Sequence, residues 1–170
     1  MTTADLIVAG MLLFTPANAA QPQDGSAECL ALNMYYEARG QGTAGLLGVT
    51  AVVFNRVKDK RFPNTICEVI EQGPTSKWWW KKKRKIIPIR NKCQFSWYCD
   101  GKSDIPKNLP IYTKFLRIAQ AMVAKDIPFI DITDGALFYH ADYVLPGWAK
   151  TKKRTTRIGN HIFYRWEIGK

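Results

Sequence analysis

Two helices joined at a glycine-rich corner are predicted by residues 29–58, which read CLALNMYYEARGQGTAGLLGVTAVVFNRVK. The segment Gly40-Gln41-Gly42 ends the first helix, because glycine tolerates the left-handed backbone that follows a helix. A second helix is expected from an N-cap at Thr43, with Leu46 to Val57 apolar on nearly every side, as in a buried helix. The first helix carries apolar side chains at three- and four-residue steps, the period of an amphipathic helix: Ala27, Leu30, Ala31, Met34, Tyr35 and Ala38.

One acidic residue, Glu37, precedes the corner and lies off the apolar stripe, beside Asn33 and Tyr36. A carboxylate at this place faces the buried second helix. Loss of water around it raises its pKa, so the group keeps a proton to donate. The pattern therefore predicts a general acid. The alternative is a surface glutamate paired with Arg39 or Arg56, which is common near a helix end.

Composition indicates a single domain with a hydrophobic core. The chain has 170 residues, is 46% hydrophobic and holds six Trp, seven Tyr and eight Phe. Its net charge of +11 is concentrated in two blocks. Residues 77–92 hold eight Lys and Arg and no acid, and residues 147–170 hold seven Lys and Arg against one acid. Two basic blocks predict a polyanionic partner.

The N-terminus resembles an export signal. Leu6 to Phe14 is a short apolar run, and Ala17-Asn18-Ala19 matches an A-x-A cleavage site. We expect residues 1–19 to be an export signal cleaved near Ala19, residues 20–26 a polar lead-in, and residues 27–170 one folded domain. Met1 to Asp5 lacks Lys and Arg, so an ordinary amphipathic start is the alternative.

Four cysteines, an even number in a chain expected to be exported, predict disulfides. Their spacing leaves three connectivities open for Cys29, Cys67, Cys93 and Cys99. The last two flank Gln94-Phe95-Ser96-Trp97-Tyr98, so we expect a disulfide to close this aromatic loop. With two histidines and no CxxC pair, neither a metal site nor a cofactor is expected.

The block at residues 73–92 has the most unusual composition, with KWWWKKKRK at residues 77–85. Three adjacent tryptophans and five consecutive cations cannot share one core, so we expect a surface loop. One interpretation is adhesion to an anionic polymer or a membrane interface. A second is single-stranded nucleic acid, bound by stacking and phosphate neutralisation. A third is a loop whose charge only aids solubility.

Further elements follow from local patterns. Thr65-Ile66-Cys67-Glu68 fits a capping box that opens a helix over Ile66 to Glu71. A helix after Pro110 has an apolar face expected to pack in the core. Ala136–His140 and Ile162–Trp166 are β-prone and predict one wall of a cleft. Two histidines in this region, each either functional or structural, are His140 and His161.

Six motifs occur in order: YYEARG at 35–40, GVTAVVFNRV at 48–57, FPNTI at 62–66, QFS at 94–96, GALFY at 135–139 and RIGNHIF at 157–163. Together they resemble the SleB/CwlJ cell wall hydrolase family, known from spore cortex lysis and from phage and bacterial relatives. The resemblance covers about residues 27–164. It implies an α+β, lysozyme-like fold, mainly helical with a small antiparallel β element lining a substrate cleft. Residues 27–170 would then be the catalytic domain, with residues 73–92 as an insertion.

The resemblance implies a peptidoglycan glycan strand as substrate and Glu37 as the catalytic acid of a lytic transglycosylase. Glu37 would protonate the oxygen between N-acetylmuramic acid and N-acetylglucosamine, then take the proton back as the muramic 6-hydroxyl attacks. The product would be a 1,6-anhydromuramic end. A hydrolytic glycosidase ordinarily needs a second carboxylate. The candidates for that partner, none within a motif that marks it, are Asp100, Asp131, Asp134 and Asp142.

Eight residues in or beside the motifs are expected to bind substrate. Hydrogen bonds to sugar or N-acetyl groups are expected from Gln94, Ser96, Tyr139 and Asn160, and stacking on pyranose faces from Tyr36, Trp97 and Phe138. His161 is also expected to bind substrate. We expect a monomer that acts in the periplasm, cell wall or outside the cell. One interpretation is that the chain is a phage-encoded lysis enzyme that resembles an endolysin.

Other functions stay open. A hydrolytic, lysozyme-type muramidase is the alternative within glycan cleavage, and a non-enzymatic cationic wall-binding protein is the alternative outside enzymes. A zinc amidase is disfavoured because only two histidines exist. Residues 73–92 look like an insertion between two family motifs, so the resemblance assigns them no role. Because wall polymers and an outer-membrane surface are anionic, one of these is the expected partner of Trp78–Lys85, and no nucleic acid is expected. The basic run Lys150–Arg157 would add to the same face.

Overall fold

The computed structural model describes residues 24–166, so the predicted export signal at residues 1–19 lies outside the described residues. Five helices come first and three short strands follow. The elements are α1 Ser26–Ala38, α2 Gly42–Lys58, α3 Ile66–Ile70, α4 Lys77–Lys83, α5 Leu109–Val123, β1 Phe138–Ala141, β2 Lys153–Ile158 and β3 His161–Arg165, with short 3₁₀ turns at Ser96–Cys99 and Gly147–Thr151. The strands form one antiparallel sheet in the order β1-β3-β2. The predicted α+β class, mainly helical with a small antiparallel element, is confirmed.

The corner between α1 and α2 is tighter than the sequence pattern suggested. Gly42, with φ at +68°, is the first residue of α2, and its N-cap is Gln41. The prediction of Thr43 as the N-cap is therefore wrong. The Gln41 side chain reaches the β2–β3 turn instead, where its Oε1 accepts a hydrogen bond of 3.3 Å from the backbone N–H of Asn160. The corner is thus tied to the sheet.

The core lies between α1 and the helices around it. The predicted apolar stripe of α1 is buried: Leu30, Ala31 and Met34 are 0% exposed. α1 packs mainly against α5, whose predicted apolar face contributes Phe115, Ala119, Met122. Each large aliphatic or aromatic side chain buried in this way stabilises the fold by about 1.5–3 kcal/mol.

Two disulfides fix the connectivity that the cysteine spacing left open. Cys29 in α1 bonds to Cys67 in α3, and Cys93 bonds to Cys99 across the aromatic loop. The expected closure of that loop is confirmed. α3 itself begins at the predicted capping box, because Thr65 Oγ1 accepts a hydrogen bond of 3.3 Å from the backbone N–H of Glu68.

The sheet rests on α2 through its central strand. Phe163 of β3 is fully buried and clusters with Val52 and Ala136. A Cβ atom on Gly48 would lie 2.8 Å from Cζ of Phe163, so only glycine at this position allows the sheet to approach α2 so closely. The edge strand β2, KRTTRI, has three exposed and three half-buried residues and was not predicted as a strand.

The basic, tryptophan-rich block is not the loop that its composition suggested. Residues 77–83 form α4, with Ser76 as its N-cap, and no residue of this helix is buried. Hydrophilic and aromatic side chains on a surface are compatible with a short helix as well as with a loop, since exposure does not set backbone conformation. Within residues 24–166, no helix combines the length and the apolar character needed to cross a membrane.

Candidate active site

Glu37 lies in the last turn of α1 and lines an open cleft of about 320 Å³. The elements around the cleft are the ends of α1 and α2, the disulfide-closed loop and strand β1. Besides Glu37, the cleft is lined by Arg56, Cys93, Gln94, Ser96, Phe138, Tyr139 and Trp148. The predicted acid therefore faces a concave surface that is open to solvent on one side.

Tyr139 is the direct partner of the carboxylate, since its hydroxyl donates a hydrogen bond of 2.8 Å to Oε2 of Glu37. Strand β1 carries this tyrosine, and its ring packs edge-on against His161 at 4.9 Å and against Phe163 at 5.6 Å. His161 is only 7% exposed. The sheet thus holds Tyr139 in place against a carboxylate 102 residues away in the sequence.

Burial raises the pKa of Glu37, and the hydrogen bond from Tyr139 lowers it by a smaller amount. The pKa of Tyr139 is raised well above its ordinary value, mainly by burial and then by the neighbouring Glu37 charge, so this phenol stays a donor. No salt bridge within residues 24–166 includes Glu37, so the alternative ion pair with Arg39 or Arg56 is absent. The desolvation expected from the sequence is present.

Arg56 is a buried cation beside the same cleft. It is 4% exposed, its Nε donates a 2.8 Å hydrogen bond to the carbonyl oxygen of Leu137, and its Nη1 has no partner. Burial lowers its pKa to about 10, so it remains charged at neutral pH. From the sequence, Arg56 was expected only as an alternative ion-pair partner of Glu37. The available signal was a lone arginine within a helix stretch that is apolar on nearly every side.

The disulfide-closed loop supplies the opposite wall. Trp97 anchors this loop to α1, because its Nε1 donates a hydrogen bond of 3.1 Å to Oδ1 of the fully buried Asn33, one turn before Glu37. Gln94 and Ser96 are exposed and line the cleft, as does Phe138 of β1. Cys93 and Trp148 also line it and were not predicted. Trp148 follows a Pro-Gly pair between the two β-prone runs, which was its only sequence signal.

Four of the eight predicted substrate-binding residues line the cleft with Glu37: Gln94, Ser96, Phe138 and Tyr139. The other four lie elsewhere. Tyr36 and Trp97 line a neighbouring depression of about 410 Å³, where their rings stack on each other at 4.9 Å. Trp97 is 8% exposed, so its ring serves mainly as packing. Asn160 is exposed in the β2–β3 turn, outside the cleft lining, and His161 supports Tyr139 from behind. His140 bonds the Tyr164 hydroxyl, a structural role.

The four aspartates considered as partner carboxylates are occupied elsewhere. Asp131 accepts hydrogen bonds from Asn55 and from Thr133 in its own loop. The other three form salt bridges with basic side chains: Asp100 with Lys102, Asp134 with Arg165 and Asp142 with Arg157. In the part of the chain that the structure describes, Glu37 is the only carboxylate among the residues that line the cleft.

The fold is mainly helical α+β and lysozyme-like, and it places one desolvated glutamate at a helix end, facing a small sheet across a cleft. A carboxyl group in such surroundings is a candidate general acid. A family model described as Cell Wall Hydrolase matches residues 40–164. The chain belongs to the cell wall hydrolase family. Glu37 precedes the matched range by three residues, so its assignment depends on the geometry above.

Curated relatives include spore cortex-lytic enzymes. The chain is 29% identical over 137 residues to the enzyme of Bacillus cereus, covering 80% of this chain and 42% of that protein. It is 28% identical over 135 residues to the enzyme of Bacillus subtilis, covering 79% of this chain and 35% of that protein. The chain therefore spans less than half the length of these relatives.

Solved structures extend the likeness to the fold. The catalytic domain of Bacillus cereus SleB matches with a TM-score of 0.54 and 25% identity, covering 82% of this chain and 90% of that one. The catalytic domain of the germination-specific lytic transglycosylase SleB from Bacillus anthracis matches with a TM-score of 0.57 and 26% identity, covering 89% and 100%. These matches confirm the SleB resemblance and the lysozyme-like fold.

Proposed function

We propose that this chain is a lytic transglycosylase that cleaves peptidoglycan at the bond between N-acetylmuramic acid and N-acetylglucosamine. The observation that carries the proposal is Glu37, desolvated and hydrogen-bonded by Tyr139, as the one carboxylate among the described residues that line the cleft. Membership of the cell wall hydrolase family supports peptidoglycan as the substrate. The name of the Bacillus anthracis neighbour supports the transglycosylase reaction.

In the first step, protonated Glu37 donates its proton to the glycosidic oxygen. The bond from that oxygen to C1 of the muramic residue breaks, and the N-acetylglucosamine leaves with a free hydroxyl. An oxocarbenium-like centre remains at C1. The Tyr139 hydroxyl then donates to a fully ionised carboxylate, and a hydrogen bond to an ionised acceptor is stronger than one to a neutral acceptor.

In the second step, the Glu37 carboxylate takes the proton of the muramic 6-hydroxyl while that oxygen attacks C1. The glutamic acid is regenerated and the sugar closes as a 1,6-anhydro ring, with no water consumed. One group serves as acid and then as base. A raised pKa suits both tasks, because it keeps the proton available before cleavage and makes the carboxylate a better base afterwards.

A single carboxylate favours this reaction over hydrolysis. Hydrolytic glycosidases ordinarily place two carboxyl groups about 5 to 9.5 Å apart across the scissile bond. The four candidate aspartates are bonded elsewhere, outside the cleft lining. The nucleophile supplied by the substrate makes a second carboxylate unnecessary. A hydrolytic muramidase is the competing function.

The cleft walls suit a glycan strand. Gln94 and Ser96 present exposed polar groups on one wall, and Phe138 presents a partly exposed ring on the other. A second depression is lined by Tyr36 and Trp97, which stand next in sequence to Glu37 and Ser96 of the cleft. We propose that neighbouring sugars of one strand occupy these two depressions. Peptidoglycan lies outside the cytoplasm, so we propose that the protein acts there.

The test is Glu37→Gln beside Glu28→Gln on purified peptidoglycan sacculi. Glu28 is an exposed glutamate in the first turn of the same helix, so it controls for the loss of one negative charge. Loss of a general acid should slow sacculus clearing by roughly a hundredfold or more, whereas Glu28→Gln should clear at the wild-type rate. Clearing by Glu37→Gln at the wild-type rate overturns the proposal. Sacculus binding without cleavage by the wild type would support a non-enzymatic wall-binding protein instead.

A further inference from the structure

We propose that residues 74–89, called the arm below, dock on the surface of an anionic phospholipid bilayer. The inference is independent of the reaction proposed for the cleft. It depends on the backbone of the arm, on the side chains that the arm exposes, and on the charge of those side chains.

The arm has a defined shape. The backbone N–H of Ser76 donates to the carbonyl of Ile87, and that of Ile89 donates to the carbonyl of Pro74, both at 2.8 Å, so the two ends of the arm form an antiparallel stem. Helix α4 forms its tip. Arg84, with a positive φ of 52°, ends this helix. The side chains of the tip are therefore presented by an ordered backbone.

Large apolar side chains on the arm face solvent. Trp78 is 56% exposed, Trp80 is 49% exposed and Ile86 is 75% exposed. Tryptophan has an apolar body and one polar N–H, and it is enriched at the level of lipid headgroups for that reason. Several such side chains on one short segment are typical of an interfacial membrane anchor.

The same segment is strongly cationic. Residues 74–89 include six Lys and Arg and no acid, and no salt bridge within residues 24–166 uses a cation of the arm. Arg84 lies 5.5 Å over the ring of Trp80, so charge and aromatic surface are adjacent. A soluble anionic wall polymer would neutralise these cations but would offer no apolar phase to the tryptophans and Ile86. A bilayer containing anionic lipid matches both features.

The stem of the arm continues directly into the cleft wall. The backbone N–H of Gln94 donates a hydrogen bond of 2.9 Å to the carbonyl of Gln72. A Cβ atom on Gly73 would lie 2.9 Å from Sγ of Cys93, so the base of the stem packs tightly on the disulfide-closed loop. Docking through the arm would therefore hold the cleft beside the bilayer surface, next to the glycan strands nearest to it.

The experiment is co-sedimentation of the full chain with vesicles of phosphatidylcholine, with or without phosphatidylglycerol. One variant removes apolar surface (Trp78→Ser with Trp80→Ser) and another removes charge (Lys81→Gln, Lys82→Gln and Lys83→Gln). A matched control removes three exposed cations on and just after α5, Lys114→Gln, Arg117→Gln and Lys125→Gln. Circular dichroism checks that each variant is folded.

We expect binding to the phosphatidylglycerol vesicles, with affinity reduced about tenfold or more in both arm variants and less than twofold in the control. Cleavage of soluble glycan fragments should be unchanged in the arm variants, which separates this proposal from the one for the cleft. Three results would overturn the inference: equal binding to vesicles without phosphatidylglycerol, equal loss in the control, or binding to sacculi alone with none to vesicles.

Discussion

Replacing Tyr139 with phenylalanine tests how the cleft controls its acid. The variant deletes one hydroxyl and with it the 2.8 Å hydrogen bond to Glu37. Hydrogen bonds to charged groups contribute about 1.5–3 kcal/mol, and one pKa unit corresponds to about 1.36 kcal/mol. Burial already raises the pKa of Glu37, and the lost bond was the contribution that lowered it. The pKa of Glu37 should therefore rise further, because its ionised form loses this stabilisation.

The role of Glu37 as an acid sets the direction in which the pH dependence of the rate should change. Glu37 must be protonated to start the reaction, so the alkaline limb of kcat/KM against pH reports its pKa in the free enzyme. Tyr139→Phe should therefore move this limb to higher pH. The maximal rate should fall, because the carboxylate formed after proton donation loses its donor.

The assay is the initial rate of release of soluble muropeptides from sacculi across the pH range. Tyr164→Phe is the matched control: this tyrosine is 6% exposed in β3, and its hydroxyl bonds His140 at 3.0 Å, outside the cleft. The control should leave the limb in place. A limb that stays in place in Tyr139→Phe, or that moves to lower pH, would refute the reasoning.

Three further predictions concern stability. Because the pKa of Glu37 is raised in the folded state, the free energy of unfolding of the wild type should fall as pH rises from the unfolded-state pKa through the folded-state pKa. Urea unfolding should therefore show Glu37→Gln as more stable than the wild type at pH 8 and nearly equal to it at pH 4. A more stable wild type at pH 8 would contradict this. Gly48→Ala places a Cβ atom 2.8 Å from Cζ of Phe163. The overpacking cost of about 1–3 kcal/mol should exceed the gain in helix propensity of about 1 kcal/mol, so the variant should be less stable than the wild type. Thermal unfolding should show a lower Tm, and a raised Tm would be inconsistent with this account. The double variant Cys29→Ala with Cys67→Ala removes a disulfide that spans 38 positions, and without reductant it should lower the free energy of unfolding by about 2–4 kcal/mol. This difference from the wild type should shrink when the wild type is also reduced.

Local signals predicted the parts of this protein that depend on neighbours in sequence. The apolar period of α1, the capping box at Thr65 and the two β-prone aromatic runs each reflect interactions within a few residues. The desolvation of Glu37 was also predictable, because a buried second helix follows the glycine corner directly. The candidate acid could therefore be found before its surroundings were known.

The remaining features depend on long-range contacts, or lie in segments whose sequence has no apolar pattern. Nothing local indicates that Tyr139 would bond a carboxylate 102 residues away, or that Cys29 would pair with Cys67. Strand β2 has no apolar alternation because it is an exposed edge. Nothing local indicates either that Trp97, which was expected to stack on sugar, also anchors its loop through a hydrogen bond to Asn33, 64 residues away.

The measurement that most directly tests the central claim is product analysis after digestion of sacculi in water enriched in ¹⁸O. If Glu37 works with the muramic 6-hydroxyl of the substrate, the released muropeptides carry 1,6-anhydro ends, lack the mass of one water and contain no ¹⁸O at the muramic C1. They should also disappear in Glu37→Gln and persist in Glu28→Gln. Reducing ends that carry ¹⁸O would contradict the account, because they would show that water, and not the sugar, is the nucleophile.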